Sequence, residues 1–385
     1  MAELTQAILK ELEAMIEIDP EPEFVETGNI GFDMAVSNGK GLPLGYSILF
    51  WGKQGCGKTT LFADVALRLL KKHKNEGKPF KVLYIDVEGS TSLLLNSVLG
   101  SGLREFYNSH DFLYPTLKGK NFTWSQIELF YEAVLNDKGP YKGVKLIIID
   151  SINNVLSDQN VKNSVSSGDF GTKAKDRSNF WAKYLPLCKQ KGVSTFMVSQ
   201  ARTKQNAMVG STTEKPAGSF SDFHNADVIL KCISMNDKKD ASKSLEKTIY
   251  GETQDKFKFI LILDPTAEGS KNRIDRTYKC EVLLQKGFGA HNYYSLRKML
   301  VFHHFLKENG AWYSFSKDLV EGLNLPDKKL NRNDVNMIIK EKAGDFVELL
   351  KRLGCYSPVA KNGEITEVVS NEDSDETVNE IDEEE

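Results

Sequence analysis

The sequence has few cysteines and no long apolar run, and both absences exclude classes of protein. Its five cysteines are scattered and form no C-x-x-C pair, so neither a disulfide framework nor a zinc site is predicted. The strongly apolar stretches, such as residues 146–149 (LIII), are far shorter than the ~20 residues of a membrane helix. Residues 1–18 carry acids among their apolar positions and lack the basic-then-apolar order of a secretory signal. We therefore expect a cytoplasmic protein with no membrane partner.

Positive charge is missing from the C-terminal end. Residues 362–385 contain eleven acids and no Lys or Arg, and since the whole chain has a net charge of −3, residues 1–361 carry +8. An acidic segment with almost no aromatic residue cannot bury enough apolar surface to offset its ordering entropy, so residues 358–385 are predicted to be a disordered tail. The tail either keeps the protein soluble or competes with nucleic acid for the basic body.

Apolar runs of strand length alternate with helical stretches in the first two thirds of the chain. Strands are predicted at 46–51, 81–87, 144–150 and 193–200, with helices at 59–73, 124–137 and 178–192. This alternation is typical of an α/β fold with a mostly parallel sheet covered by helices on both faces. Later runs at 226–235, 256–264 and 278–286 have no helices between them and predict an antiparallel extension.

These patterns divide the chain into four parts. Residues 1–27 are predicted to be a short N-terminal helix and linker, because apolar positions from 4 to 16 follow helical spacing before DPEPE stops the helix. Residues 28–286 form the core. Residues 287–357 form a small C-terminal α/β domain, and the acidic tail follows it.

Residues 52–60 (GKQGCGKTT) contain a phosphate-loop pattern, G-x-x-x-x-G-K-[ST], between a predicted strand and a predicted helix. The glycines let backbone N–H groups curl around phosphates at a helix N-terminus. Lys58 supplies a positive charge, and Thr59 supplies a hydroxyl for Mg²⁺. The residues predicted to bind nucleotide here are Gly52, Lys53, Gln54, Gly55, Cys56, Gly57, Lys58, Thr59 and Thr60.

Polar residues end three further predicted strands, at the edge where an α/β sheet binds its ligand. Asp150 ends LIIID, and its carboxylate is suited to orient Mg²⁺ through water. Glu88 follows YIDV and is suited to position or deprotonate a water, unless it is a surface acid in a loop. Gln200 ends VSTFMVSQ, and its neutral amide can hydrogen-bond a γ-phosphate without charge repulsion. The pattern predicts a site for ATP and Mg²⁺.

The order and spacing of these motifs resemble the RecA-type homologous recombinases of bacteria and phages. The similar stretches are residues 27–61, YIDVEG (84–89), LIIIDSIN (146–153), FMVSQAR (196–202) and GAWYSF (310–315), and they span about residues 25–320. Residues 39–60 and GAWYSF are specific, whereas the phosphate loop alone is not. The short N-terminus and the free divergence indicate a phage-encoded member, which would act in the host bacterial cytoplasm.

The resemblance implies a RecA-like P-loop ATPase core and a DNA-dependent ATPase with strand-exchange activity. Such a protein polymerises on single-stranded DNA with ATP, pairs it with homologous duplex and exchanges strands in recombination and repair. By motif, Asp150 and Ser151 complete the metal and phosphate side beside Lys58 and Thr59.

The resemblance also assigns the residues that act on the γ-phosphate. Glu88 would polarise the attacking water, and Gln200 would couple the γ-phosphate to the second DNA-binding loop. In the family, ATP lies between adjacent protomers and two lysines reach it from the neighbour. Lys271 and Arg273, in SKNR, stand at the matching positions, and an Arg there keeps the charge.

The resemblance implies a homo-oligomer in the form of a helical filament. Phe223 matches an aromatic residue at the subunit interface, although a simple core phenylalanine is as good an interpretation. Residues 1–27 would dock one protomer on the next. The other expected partners are single-stranded DNA, double-stranded DNA and a single-strand-binding or mediator protein.

Two polar, glycine-containing stretches, near 157–171 and 201–220, are too long for ordinary connections and are predicted to be DNA-binding loops. Basic residues would contact phosphates, small residues would let the backbone approach DNA, and apolar residues would wedge into the stretched base stack. The predicted DNA-binding residues are Phe170, Lys173, Lys175, Arg177, Ser178, Arg202, Lys204, Met208, Val209, Ala217 and Gly218.

Two alternative functions fit the same core. One is a hexameric helicase or branch-migration ATPase, and the other is a regulatory ATP-binding protein with no DNA activity. SKNR and GAWYSF argue against the ring motor, which has no need of either. The two long loops with basic residues and the basic body argue against the regulator.

Overall fold

The computed structural model describes residues 22–89, 97–116, 122–157, 170–205, 212–217, 224–235, 258–267, 270–274, 279–285 and 287–353. The predicted N-terminal helix, most of the first predicted DNA loop and the acidic tail lie outside these residues. So do four predicted site residues, Met208, Val209, Gly218 and Phe223.

The strands of the described chain form one large sheet and two small ones. They are β1 (Phe24–Val25), β2 (Leu42–Pro43), β3 (Ser47–Gly52), β4 (Lys81–Asp86), β5 (Phe112–Leu113), β6 (Val144–Asp150), β7 (Ser194–Gln205), β8 (Thr212–Pro216), β9 (Val228–Met235), β10 (Lys258–Asp264), β11 (Lys271–Asn272), β12 (Cys280–Gln285), β13 (Gly289–Ala290), β14 (Leu306–Asn309), β15 (Trp312–Phe315) and β16 (Leu330–Asn331).

The large sheet has the order β13-β12-β10-β9-β3-β7-β6-β4-β5, with β8 paired to β7 and β11 paired to β9. Strands β9, β3, β7, β6, β4 and β5 run parallel to one another. Strands β10, β12 and β13 continue the sheet in antiparallel pairs. The predicted α/β fold, with a mostly parallel sheet and an antiparallel extension, is confirmed. Strand β9, expected in the extension, joins the two parts.

The helices lie on both faces of this sheet and beyond its antiparallel end. They are α1 (Ile30–Ser37), α2 (Lys58–Glu76), α3 (Val98–Asn108), α4 (Trp124–Leu135), α5 (Phe170–Lys191), α6 (Asn292–Phe302), α7 (Lys317–Leu323), α8 (Arg332–Glu341) and α9 (Ala343–Arg352). Helix α4 begins where the sequence predicts, because Thr123 and Gln126 form a capping box. In the described part of the chain, no helix is long and apolar enough to cross a membrane.

Two boundaries differ from the predictions. Helix α5 begins at Phe170 rather than near 178, because the segment between these positions contains good helix formers, namely two lysines, an alanine and an arginine. Strand β7 continues past Gln200 to Gln205, because it forms an antiparallel hairpin with β8. Parts of both predicted DNA loops are therefore regular secondary structure.

Successive side chains of the parallel strands point to opposite faces of the sheet, and each face has its own apolar core. In β3, Ile48 and Phe50 face a core shared with α1, α2 and α3. Leu49 and Trp51 face the other core, which contains aromatic residues of α4 and α5. Since the central strands are buried on both faces, polar residues on them concentrate at the strand ends.

A third apolar core belongs to residues 292–353, here called the C-terminal module. It comprises α6 to α9 and the small sheet β14-β15-β16. Phe315 and Phe346 stack in its centre, with ring centroids 5.9 Å apart. Ile30 and Met34 of α1 enter the same cluster, so α1 packs between the large sheet and the module.

Candidate functional site

The phosphate loop leaves β3 and enters α2 through backbone positions that leave no room for side chains. Gly57 has φ 102°, and a Cβ built on it would lie 2.4 Å from Cε2 of Phe259 in β10. A Cβ on Gly52 would lie 2.2 Å from the carbonyl oxygen of Cys232 in β9. The loop is therefore a backbone cradle at the N-terminus of α2, as phosphate binding requires.

Lys58 opens α2 and turns its ammonium into this cradle. The side chain is buried, and Nζ donates to the carbonyl oxygens of Gly52 at 3.0 Å and Lys53 at 2.8 Å. Nζ also lies 3.5 Å from Sγ of Cys56. Among the described residues, no carboxylate lies within ion-pair distance of this ammonium. The positive charge is available to an anionic ligand.

Thr59 and Asp150 bring a hydroxyl and a carboxylate together beside the loop. Thr59 Oγ1 donates to Asp150 Oδ2 at 2.7 Å, and the hydroxyl of Tyr84 donates to the same oxygen at 3.0 Å. Burial raises the pKa of Asp150 to about 6, against the hydrogen bond from Thr59, which lowers it, and with the nearby Glu88 carboxylate, which contributes to the rise. The peptide bond between Asp150 and Ser151 is cis.

Glu88 follows β4 and receives three hydrogen bonds on one carboxylate oxygen. Oε1 accepts from Ser151 Oγ at 2.6 Å, Gln200 Nε2 at 2.7 Å and Asn154 Nδ2 at 3.1 Å. The donors come from the segments that follow β6 and end the buried part of β7. We call the meeting point of the carboxyl ends of β3, β4, β6 and β7 the nucleotide edge.

The turn that carries Glu88 is itself held by Asp86. The backbone N–H of Gly89 donates to Asp86 Oδ1 at 2.8 Å, and the hydroxyl of Tyr114 donates to Oδ2 at 2.6 Å. The N–H groups of Val87 and Glu88 both donate to the carbonyl oxygen of Asp150. These bonds place the Glu88 carboxylate over the end of β6.

The open end of the β7-β8 hairpin, at Gln200 and Ala217, lies at the same edge. The N–H of Ala217 donates to the carbonyl oxygen of Gln200 at 2.6 Å, and Ser199 Oγ donates to the carbonyl oxygen of Ala217 at 2.7 Å. Asn153 contacts both strands, as described below. The hairpin and the Glu88 carboxylate therefore share Gln200.

Glu214 of β8 links the hairpin to the phosphate loop. Its carboxylate forms an ion pair with Lys53 at 2.7 Å and a second with Lys231 at 3.4 Å. The hydrogen bond from Lys53 lowers the pKa of Glu214 and raises that of Lys53. Lys231 Nζ lies 4.9 Å from the ring centroid of Trp51, at the end of β3.

Lys271 and Arg273 lie at the other end of the sheet. Their side chains donate to the carbonyl oxygen of His224 at 3.1 Å and 3.3 Å. Lys271 pairs with Ile229 in the first half of β9, whereas Gly52 pairs with Cys232 farther along it. Burial, followed by the charge of Arg273, lowers the pKa of Lys271 to about 8. The structure does not bring these cations to the phosphate loop of the same chain.

The described residues predicted to contact DNA have different environments. Lys175 and Arg202 are exposed, and Ser178 is half-buried. Arg177 is buried, and its Nη1 donates to the carbonyl oxygen of Ile152 at 3.5 Å, which withdraws it from solvent in this conformation. Ala217 is buried at the hairpin base. The backbones of Phe170, Lys173 and Lys204 lie in α5 and β7. Contacts of all these residues with DNA stay predictions.

Several residues of the nucleotide edge escaped the sequence predictions. Tyr84, Asn153 and Asn154 are polar residues within or directly after strands that end at the nucleotide edge, and that position was the available signal. Glu214 gave no such signal, because only the β7-β8 pairing brings it to Lys53.

The residues of the nucleotide edge fit a nucleotide with Mg²⁺. A cleft of about 500 Å³ opens beside the loop, lined by Gln54, Val87, Glu88, Asn153, Asn154, Leu156 and Gln200. The cradle excludes a Cβ at Gly52 and Gly57, and the ammonium of Lys58 points into it. Thr59 and Asp150 offer the hard oxygen donors that Mg²⁺ prefers.

Comparison with known proteins gives one family match and several distant relatives. A family model described as an AAA domain matches residues 37–205. The chain is 24% identical to protein RecA of Colwellia psychrerythraea strain 34H over 293 residues, which are 76% of this chain and 74% of that protein. It is 22% identical to protein RecA of Mycoplasma genitalium G37 over 303 residues, 78% of each chain. It is 23% identical to protein RecA of Marinobacter nauticus VT8 over 346 residues, 89% of each chain.

These similarities extend well beyond the phosphate loop, since they cover three quarters or more of the chain. The fold, the phosphate loop and the relatives together support a RecA-like P-loop ATPase, distantly related to RecA proteins.

Proposed function

We propose that this chain is an ATP-dependent DNA recombinase. It forms a helical filament on single-stranded DNA, pairs that DNA with homologous duplex and exchanges strands. The similarity to three RecA proteins over most of the chain supports the proposal. The observation that carries it is the hydrogen bond from Gln200 Nε2 to Glu88 Oε1, at 2.7 Å.

ATP with Mg²⁺ supplies the phosphoanhydride bond that the reaction breaks. Lys58 binds the β- and γ-phosphates through its ammonium, together with the backbone N–H groups of the loop. Thr59 Oγ1 and Asp150 Oδ2, which lie 2.7 Å apart, would hold Mg²⁺. Glu88 positions the attacking water and accepts its proton, at the opening of the cleft.

Gln200 gives this ATPase a route to DNA. Its side chain binds Glu88, and its backbone belongs to β7, which continues into the hairpin at the start of the second predicted DNA loop. An amide that exchanges Glu88 for a γ-phosphate oxygen moves the root of that loop.

The position of Lys271 and Arg273 supports the proposal that the protein forms a filament. Their strand pairs with Ile229 and Val228, about three residues before the Cys232 that faces the phosphate loop. At about 3.3 Å per residue, this separation is roughly 10 Å along β9. We propose that both cations reach the nucleotide of a neighbouring copy, and that Phe223 and residues 1–27 help the copies to dock.

The same function involves the DNA loops, the C-terminal domain, the acidic tail and further partners. DNA contacts come from the two loops near 157–171 and 201–220, and residues 287–357 form the small C-terminal domain after the core of 28–286. The acidic tail of 358–385 opposes DNA binding. The protein meets a single-strand-binding or mediator protein and works in the cytoplasm, within a host bacterium if a phage encodes it.

The proposal is tested by ATP turnover with and without single-stranded DNA, and by negative-stain images of the same samples with a non-hydrolysable ATP analogue. We expect DNA to stimulate turnover and the images to show helical filaments. Lys58→Ala should abolish both. Closed rings would instead favour the helicase, and turnover indifferent to DNA would favour the regulatory ATPase.

A further inference from the structure

Two adjacent asparagines follow β6 and reach in different directions. Asn154 Nδ2 donates to Glu88 Oε1 at 3.1 Å. Asn153 reaches the neighbouring strand β7, where its Oδ1 accepts from the backbone N–H of Gln200 at 3.0 Å. Its Nδ2 donates to the carbonyl oxygen of Ala217, at the end of the β7-β8 hairpin. One short segment therefore contacts both the proposed base and the hairpin.

Asn153 bridges the two arms of the hairpin where they come together. Ala201 pairs with Pro216 in the ladder, and Gln200 and Ala217 are the next residues on each side. The N–H of Ala217 also donates to the carbonyl oxygen of Gln200 at 2.6 Å. To accept a hydrogen bond from one arm and donate one to the other, a side chain needs an acceptor and a donor on the same terminal group. The carboxamide of Asn has both.

The hydrogen bonds form a continuous path from the hairpin to Glu88. Asn153 holds the backbone of Gln200, and the Nε2 of Gln200 donates to Glu88 Oε1 at 2.7 Å. The path bypasses the phosphate loop, since none of these bonds involves residues 52–58. A displacement of either hairpin arm changes the position of Gln200 relative to Glu88.

We propose that Asn153 is a positioning residue that couples the β7-β8 hairpin to the Glu88 carboxylate, so that DNA bound at the hairpin changes the rate of ATP hydrolysis. The inference rests on the proposed function. It adds a residue that lines the cleft but has no chemical role in that scheme. Asn154 acts on Glu88 directly and belongs to the hydrolytic site itself.

Two substitutions of Asn153 test the coupling. Asn153→Ala removes both hydrogen bonds. Asn153→Asp keeps the size of the side chain and the acceptor for Gln200, but places a carboxylate oxygen against the carbonyl of Ala217. Asn154→Ala removes a bond to Glu88 only. Asn136→Ala is the matched control, because Asn136 caps α4 by donating to the carbonyl oxygen of Glu132, away from the nucleotide edge.

For each full-length variant, ATP turnover is measured with and without single-stranded DNA over a range of ATP concentrations. DNA binding in the presence of a non-hydrolysable analogue and the thermal unfolding temperature are measured alongside. We expect the ratio of DNA-stimulated to DNA-free kcat to fall about tenfold in Asn153→Ala and Asn153→Asp. DNA binding and the unfolding temperature should stay close to those of Asn136→Ala. In Asn154→Ala both rates should fall by the same factor.

A wild-type stimulation ratio in both Asn153 variants would overturn the inference and leave the proposed function intact. Parallel losses of DNA binding, unfolding temperature and turnover would also overturn it, because they would show that Asn153 only supports the fold. If the wild-type protein itself shows no stimulation by DNA, the proposed function fails and the inference fails with it. The wild-type arm therefore distinguishes the two failures.

Discussion

At the nucleotide edge, polar side chains from four segments hold one another by hydrogen bonds, whereas in the C-terminal module apolar side chains from four helices and a small sheet pack together. Glu88 alone receives three donors, from Ser151, Asn154 and Gln200. In the module, Phe315 stacks on Phe346 within a buried cluster. This difference predicts which property, catalysis or stability, a substitution in each region should change. Changes at the nucleotide edge should alter chemistry with little loss of stability, and changes in the core of the module should do the reverse.

The largest expected effect is on chemistry. Glu88→Gln keeps the size of the side chain but removes the proton acceptor, so kcat for ATP should fall by about 10²- to 10⁴-fold. Binding of an ATP analogue and the unfolding temperature should stay near those of the wild-type protein. Steady-state turnover and calorimetry measure these quantities, with the exposed Glu321→Gln of the module as a control. Turnover at the wild-type rate would remove Glu88 from the mechanism.

The next effect belongs to the module. Phe346 is fully buried, so Phe346→Ala should lower the free energy of unfolding by about 3–5 kcal/mol. Analogue binding by the folded protein should change less than about twofold. Urea unfolding followed by fluorescence measures the loss, and Met337→Ala, on an exposed position of α8, should cost within about 0.5 kcal/mol. Equal losses in both variants would show that the module lacks a rigid core.

Asp33 is a buried acid of α1, the helix that packs between the large sheet and the module. Burial raises its pKa from 3.8 to about 7, although the backbone N–H and the hydroxyl of Thr27 both donate to the carboxylate and favour its charged form. Between those pH values the unfolded chain has released the proton and the folded chain still holds it. The free energy of unfolding therefore decreases as pH rises from about 4 to about 7.

Asp33→Asn cannot ionise and should escape this loss. Relative to the wild-type protein, the variant should gain on the order of 2 kcal/mol in the free energy of unfolding between pH 5 and pH 8. Urea unfolding at the two pH values measures the gain, and Asp318→Asn, at an exposed position of α7, is the control. A difference from the wild-type protein that is the same at both pH values would contradict the raised pKa.

The smallest effect is expected at the ion pairs of Glu214. Glu214→Gln leaves Lys53 and Lys231 with no carboxylate between them, so more positive potential faces the phosphates. The KM for ATP should fall about two- to fivefold, the range typical of one exposed ion pair, while kcat holds. Glu105→Gln removes a comparable exposed pair, with Lys74, and should leave KM alone. A higher KM would show that Glu214 supports the loop.

Local patterns predicted the parts of the site that are built from consecutive residues. The phosphate loop, β6 and the start of α4 lie where the sequence places them, because a glycine-lysine motif, an apolar run and a capping box are each local signals. The start of α5 at Phe170 was missed, since polar residues without a cap do not distinguish a helix from a loop.

Pairings between distant segments could not be predicted in the same way. The extension of β7 to Gln205 depends on β8, and the contact of Glu214 with Lys53 depends on that hairpin. Tyr84 reaches Asp150 only because β4 and β6 are neighbours in the sheet. The strand order of the sheet decides which polar residues meet, and single-sequence patterns do not contain that order.

The close approach of Gly57 to Phe259 has a consequence for biosynthesis. The phosphate loop is complete as a sequence motif by residue 60. The aromatic ring that packs against Gly57 belongs to Phe259 in β10, about two hundred residues later in the chain. Contacts of such long sequence separation form late, because the intervening chain must first close a large loop. On the ribosome, the nascent chain therefore carries the lysine and the glycines long before it carries a finished pocket. The packing of Gly57 against Phe259 is complete only when the antiparallel end of the sheet has been made.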